Sequence, residues 1–350
     1  MYGGKMSSQT EMRWKKFNPA PLTILFPSEK ALCNPPFIHW GEYPGAAEYR
    51  VSLVSPAGEK EWTTEFNFFT PPENPTPGPC SVQVLAIDDS GKEIAESEQI
   101  YCVLPEPDIL NPQNLNRLSS LSENNPFPSQ EEIFRNKGSM KSGFAERISR
   151  EAQKVADAFS EQLKEPPRYK NGVWDFDVWK FNNNLCVKIE ENLLLQAIAW
   201  KVTGESAYLQ EAKKILLKIA GWDPEGGTGV WENDHSAYAM LNAISSAYWI
   251  LASELNGQEA GKVISSLQGR CRDMFLFLNP FVVKETSSGP MNDPDNNHPW
   301  FCTAALGLGG LALLEHDPEA EKWVCFSAQM FQGVYLPRGG RKGGGKRTLE

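Results

Sequence analysis

The residues with the clearest chemical potential form one run, Asn292-Asp293-Pro294-Asp295-Asn296-Asn297-His298-Pro299-Trp300-Phe301. A loop dense in polar side chains leads into an apolar helical pattern, and Pro299 stands where the first turn of a helix tolerates proline. That reading makes His298 the cap residue and leaves Asn297 just outside the helix. The positive end of the helix dipole disfavours an imidazolium, so His298 is expected to stay neutral and to accept a proton. Asn297 offers an amide NH₂ that donates to a carboxylate or an oxyanion without adding charge. An asparagine and a histidine so placed suit removal of a proton next to a carboxyl group. They equally suit a turn and a cap with no chemistry, and residue types alone leave both readings open.

A second cluster is Trp231-Glu232-Asn233-Asp234-His235-Ser236, with Tyr238 one turn on. It too stands at a helix start, where Asn233, Asp234 or Ser236 can cap; the alternative is a wall of a substrate cleft. Trp179, Trp231 and Trp300 are candidate platforms for flat sugar rings, with Asn296, Asn233 and His235 as polar contacts beside them. Glu190 and Glu191 are followed by Asn192, and at least one of the two glutamates belongs on a solvated helix face. No nucleotide cofactor is indicated: there is no phosphate-loop pattern, and Gly307, Gly309 and Gly310 fall inside an apolar helical pattern, where they serve close helix packing. No metal is indicated either, since no Cys set has ligand spacing and His235 and His298 are far apart in sequence.

The elements that must position these residues change character near residue 105. Before it, short alternating runs at Glu48–Val54, Glu61–Phe69 and Cys80–Ile87 are separated by Pro/Gly turns, which predicts a small antiparallel sandwich over 27–104 after an N-terminal tail, 1–26. The Pro-, Asn- and Ser-rich stretch 105–139 reads as a linker. From 140 to 337 the apolar spacing is three and four throughout, broken at Gly204, Gly221, Gly257 and Pro280. The fold class is therefore mainly α, with helical hairpins of an α/α array, either a solenoid or a toroid (incomplete if the chain stops here), behind a small antiparallel β-sandwich. Residues 338–350 are a Gly/Lys/Arg-rich tail.

Composition narrows the function. The 350 residues carry 34 basic and 44 acidic side chains, a net charge of −10, which argues against a nucleic-acid binder with a broad basic face. An acidic polysaccharide is still a possible partner, because an amide-rich cleft can sit on an acidic protein. Seven Cys at long spacings leave the redox compartment undecided, and Cys186, Cys271, Cys302 and Cys325 read as buried thiols. Neither a signal peptide nor an apolar run long enough to span a membrane is visible.

The order of motifs resembles the heparinase II/III-like polysaccharide lyases. It is carried by T-G-E-x-x-Y-x-x-x-A-K-K-I-L from Thr203, W-D-P-x-G from Trp222, and Asn296-Asn297-His298. Upstream, Asn34 to Trp40 and the Tyr49-Arg50-Val51 strand are similar to the fibronectin-III-like module of some members. The resemblance implies β-elimination on a uronic-acid polysaccharide, with Asn297 neutralising the uronate carboxylate and His298 acting as base or holding the substrate. It also implies a periplasmic or secreted location. Members have a catalytic tyrosine beyond the next Gly-rich stretch; Tyr335 lies before that stretch and is not assigned the role. They also continue into the rest of the toroid and a C-terminal β-sandwich domain, so a chain stopping at Glu350 is expected to turn over weakly or not at all. Two alternatives stand beside the lyase reading. One is an inverting glycoside hydrolase using carboxylates among Glu232, Asp234, Asp293 and Asp295; the other is a glycan-binding fragment without catalysis.

Overall fold

The structure, a computed structural model, describes residues 21–27, 31, 33–107, 143–156, 159, 163–170, 173–278 and 297–335. The polar run Asn292–Asn296, most of the expected linker and the basic tail lie outside these residues, and with them Asn296, Asp293 and Asp295. The chain forms two compact units that are not contiguous in sequence. One comprises 1–118, 278–303 and 324–350, and the other 119–277 and 304–323.

In the first unit two of the three alternating runs, Glu48–Val54 and Cys80–Ile87, lie in single antiparallel strands, while the third, Glu61–Phe69, is divided between two strands of different sheets. Strands β1 (Ile24–Phe26), β2 (Ile38–Trp40) and β5 (Phe68–Phe69) form one sheet. In the other, β4 (Gly58–Thr64), β3 (Glu48–Ser55) and β6 (Gly78–Ile87) lie side by side, and β7 (Glu93–Glu96) and β8 (Ile100–Leu104) both pair with β6. The two sheets enclose one core. Tyr49, Val51 and Leu53 alternate inward on β3 and lie opposite Ala86, Val84 and Val82 of β6, with Trp40 and Phe69 supplied by the smaller sheet. The Tyr49 hydroxyl accepts from the Tyr43 amide at 2.9 Å, and burial pushes the phenol up to about 12.

Two boundaries read from sequence need correction. The sandwich begins before residue 27, because β1 is its first strand. Residues 324–335, expected to be wholly part of the helical array, pack with the strands. The cause is the period-two alternation of β2 and β5: Ile38, Trp40 and Phe69 enter the core, so His39 and Phe68 face the other way. There they meet the Phe326 ring edge-on at 5.7 and 5.5 Å. Thr70 donates to the Gln329 side chain at 3.0 Å beside them.

The second unit is helical. Its helices are α1 (Phe144–Ala156), α2 (Phe176–Thr203), α3 (Ser206–Ile219), α4 (Asp234–Leu251) and α5 (Gly257–Leu278), with parts of α6 (Asn297–Leu313) and α7 (Ala320–Met330). The expected stop at Gly204 holds: it takes the left-handed conformation that residues with a Cβ resist, φ 76°, and its N–H caps Trp200 O at 2.8 Å. A two-residue join then makes α2 and α3 an antiparallel hairpin. Contacts between α2 and α4 advance in the same direction along both, from Trp179 with His235 to Glu190 with Asn242, so these two helices are parallel. Their N-termini therefore share one end of the unit. The long apolar pattern of α6 approaches closely through Gly309, where a Cβ would strike the Cys271 sulfur and stand 3.0 Å from Leu241 Cδ1. Among the described residues no helix is long and apolar enough to cross a membrane.

Gly309→Ala is expected to cost about 1–3 kcal/mol through overpacking of this contact, read as a lower urea midpoint with an unchanged m-value.

Candidate functional site

The shared end of α2 and α4 is built by a turn with little freedom. Trp222-Asp223-Pro224-Glu225-Gly226-Gly227-Thr228-Gly229 folds back on itself, with Gly226 N–H donating to Asp223 O at 2.9 Å and Gly229 N–H to Gly226 O at 2.8 Å. Gly227 lies directly under the 166–167 segment. A Cβ there would stand 2.5 Å from Pro167 O and 2.7 Å from the Pro166 carbonyl carbon, so only glycine fits. The Asn182 side chain donates to Pro167 O at 2.9 Å, tying that segment to α2. From the other side the fully buried Arg270 of α5 donates to Thr228 O and Oγ1 at 3.2 and 3.1 Å. The W-D-P-x-G signal thus marks a backbone that must touch other backbone.

This turn delivers the chain to the start of α4. Asn233 is 2% exposed; its Oδ1 accepts from Ser236 N–H at 3.1 Å and its Nδ2 donates to Trp179 O at 3.1 Å. The capping alternative is the correct one for this residue, and its expected role as a substrate contact is withdrawn, because both ends of the amide are occupied inside the protein. The same two bonds set the α2 and α4 starts side by side and bring Trp179 against His235, with ring centroids 5.4 Å apart.

The result is a continuous line of five rings. Trp174 and Phe176 are 62% and 53% exposed and lie 6.1 Å apart. Phe176 stacks on Trp179 at 5.9 Å, His235 follows, and Tyr238 closes the line 5.3 Å from His235. Trp231 lies on the same end but packs edge-on against Phe277 at 5.3 Å. The sequence reading identified Trp179, Trp231 and His235 here and missed Trp174 and Phe176. The signal available for those two was their spacing around Asp175, whose side chain caps α2 by accepting from Asp177 and Val178 N–H.

Tyr169 also belongs to this end and was not foreseen. Its N–H donates to Glu232 Oε2 at 3.4 Å, and its hydroxyl is pushed up to about 12 by burial, with Glu232 and Asp234 adding to the effect. It is a proton donor at neutral pH. Farther along α2 and α4, Glu191 is exposed, as expected for one of the pair, while Glu190 is half-buried against Asn242. Burial raises the Glu190 carboxyl to about 7 against the opposing Asn242 hydrogen bond.

In the first unit the structure changes the reading of the Asn-His pair. Asn297 and His298 are already helical, so α6 does not begin at Pro299 and His298 is not the cap. Pro299 is tolerated because the first turn of a helix has no internal acceptor for its missing N–H. Asn297 is exposed and His298 half-buried. Trp300 is half-buried and lies 5.8 Å from the Tyr335 ring. Tyr335 is buried with its hydroxyl 3.0 Å from Thr303 Oγ1, and burial drives its phenol strongly upward.

No protein-family model and no curated protein matches the chain. Among solved structures it is similar to a beta-1,2-glucanase from Parabacteroides distasonis, with a TM-score of 0.20 and 10% identity. The match covers 78% of this chain and 37% of the glucanase, so the chain spans little more than a third of that protein's length. At this TM-score the likeness carries no argument about activity.

Two outcomes test this geometry. Gly227→Ala is expected to destabilise the helical unit by at least about 2 kcal/mol and to alter its near-ultraviolet tryptophan signal, because neither proline carbonyl can yield without moving backbone. Glu190 keeps its proton in the folded chain up to about pH 7 but loses it near 4.5 when unfolded, so its contribution to stability falls as pH rises between those values. Melting curves of Glu190→Gln across pH 4–8 should show a shallower decline than the parent.

Proposed function

We propose that the chain is a carbohydrate-active protein of the heparinase II/III-like polysaccharide-lyase type, a fibronectin-III-like module followed by part of an α/α toroid. Its substrate class is a uronic-acid polysaccharide, and its place is the periplasm or the extracellular space. The observation that supports this reading is the line from Trp174 through Phe176, Trp179 and His235 to Tyr238. A row of partly exposed rings edged by an imidazole and a phenol offers successive faces to the apolar sides of sugar rings and hydrogen-bonding groups to their hydroxyls.

For Asn297 and His298 the proposal keeps the roles the resemblance gives. The asparagine amide neutralises the uronate carboxylate, which makes the adjacent C–H acidic. The neutral imidazole removes that proton or holds the sugar, and the leaving oxygen departs with a proton from a donor group. The hydrolase alternative rests on Glu232 and Asp234, both near Tyr169.

Turnover of alginate, heparan sulfate and chondroitin, followed by near-ultraviolet absorbance of the unsaturated product, tests the reaction. Weak absorbance growth abolished by Asn297→Ala and lowered about 10²- to 10⁴-fold by His298→Ala is the expected result. New reducing ends without absorbance would assign hydrolysis instead. Trp179→Ala should weaken binding of uronate oligosaccharides at least tenfold, and no affinity for any of the three polymers in the parent chain would overturn the sugar-binding reading.

A further inference from the structure

Strands β6 and β8 bring Cys80 and Cys102 directly opposite one another as a register pair. Both side chains face the sandwich core, at 5% and 4% exposure, while Tyr101 and Val103 on either side of Cys102 face outward. Their sulfurs stand 3.0 Å apart. A disulfide needs about 2.05 Å between sulfurs, so the two atoms have only about 1 Å to close, and the strand pairing already points both Cβ atoms the same way. Of the other cysteines, Cys186 and Cys271 are buried in helices, and the partly exposed Cys33 donates to the carbonyls of Pro35 and Gly333.

We infer that Cys80 and Cys102 are an oxidation site, closed to a cross-strand disulfide by a small-molecule disulfide such as glutathione disulfide. The Cys80 thiolate attacks one sulfur of the oxidant and expels a glutathione thiolate, leaving a mixed disulfide. The deprotonated Cys102 sulfur then attacks Cys80 Sγ and expels the second glutathione. Two electrons pass from the protein sulfurs to the oxidant, and the two thiol protons end on the released glutathiones. Either thiol can donate to the other; once one sulfur ionises, the other's S–H donates to it, which eases loss of the first proton and holds the second more tightly. With both sulfurs buried, exchange takes place as β8 docks during folding. The link closes a loop from residue 80 to 102 in the unfolded chain and so favours the folded one.

The test refolds the fully reduced chain in a glutathione redox buffer, then counts thiols under denaturing conditions and maps the peptides. The seven cysteines should fall by two, to five titratable thiols, with the Cys80 and Cys102 peptides joined. Tm should rise by roughly 5 °C or more relative to the reduced chain and return on adding reductant. In Cys102→Ser, Cys80 should form no link to another cysteine. Seven thiols after oxidation, a link from either residue to a different cysteine, or no rise in Tm overturns the assignment.

Discussion

The helical unit depends on one contact between backbones. Gly227 lies beneath the Pro166–Pro167 carbonyls with no room for a Cβ, and Asn182 and Arg270 hold the two sides of that contact. Because the turn cannot be displaced, the chain enters α4 at a fixed point. Asn233 can then cap α4 and grip the Trp179 carbonyl with one side chain. The line of rings is a consequence of this geometry rather than of ring attraction, which is weak for each pair.

The electrostatics of the same end follow from who is buried. Burial first, and then the charges of Glu232 and Asp234, keep the phenol of Tyr169 protonated. Farther down the parallel pair of helices, Glu190 is the one carboxyl whose burial outweighs its hydrogen bond from Asn242.

Much of this was legible in the sequence where one period dominated. Helix α2 ended at Gly204, whose positive φ requires glycine, α3 ended just before Gly221 on an Ala220 cap, and β3 and β6 appeared where alternation was strict. The small sheet was harder, since strands of two or three residues such as Phe68–Phe69 carry no measurable period. The start of α6 was misplaced because proline is allowed at several positions of a first turn, so its presence does not number them. Asn233 was ambiguous for a related reason: cap and ligand use the same amide, and only burial separates them. Trp174 and Phe176 went unnoticed since exposure cannot be read from residue type, and the pairing of residues 324–335 with strands far upstream leaves no local mark at all.

That last pairing has a bearing on how the chain comes into being. Thr70 and Gln329 bond across 259 residues, and Phe326 covers a sheet face formed by residues 38–69. At about 5–20 residues per second, a ribosome releases the helix that covers this face roughly 10–50 s after the strands themselves. Through that interval His39 and Phe68 are uncovered on the nascent chain. The small sheet is therefore made before the helices of the other unit but gains its cover only after them.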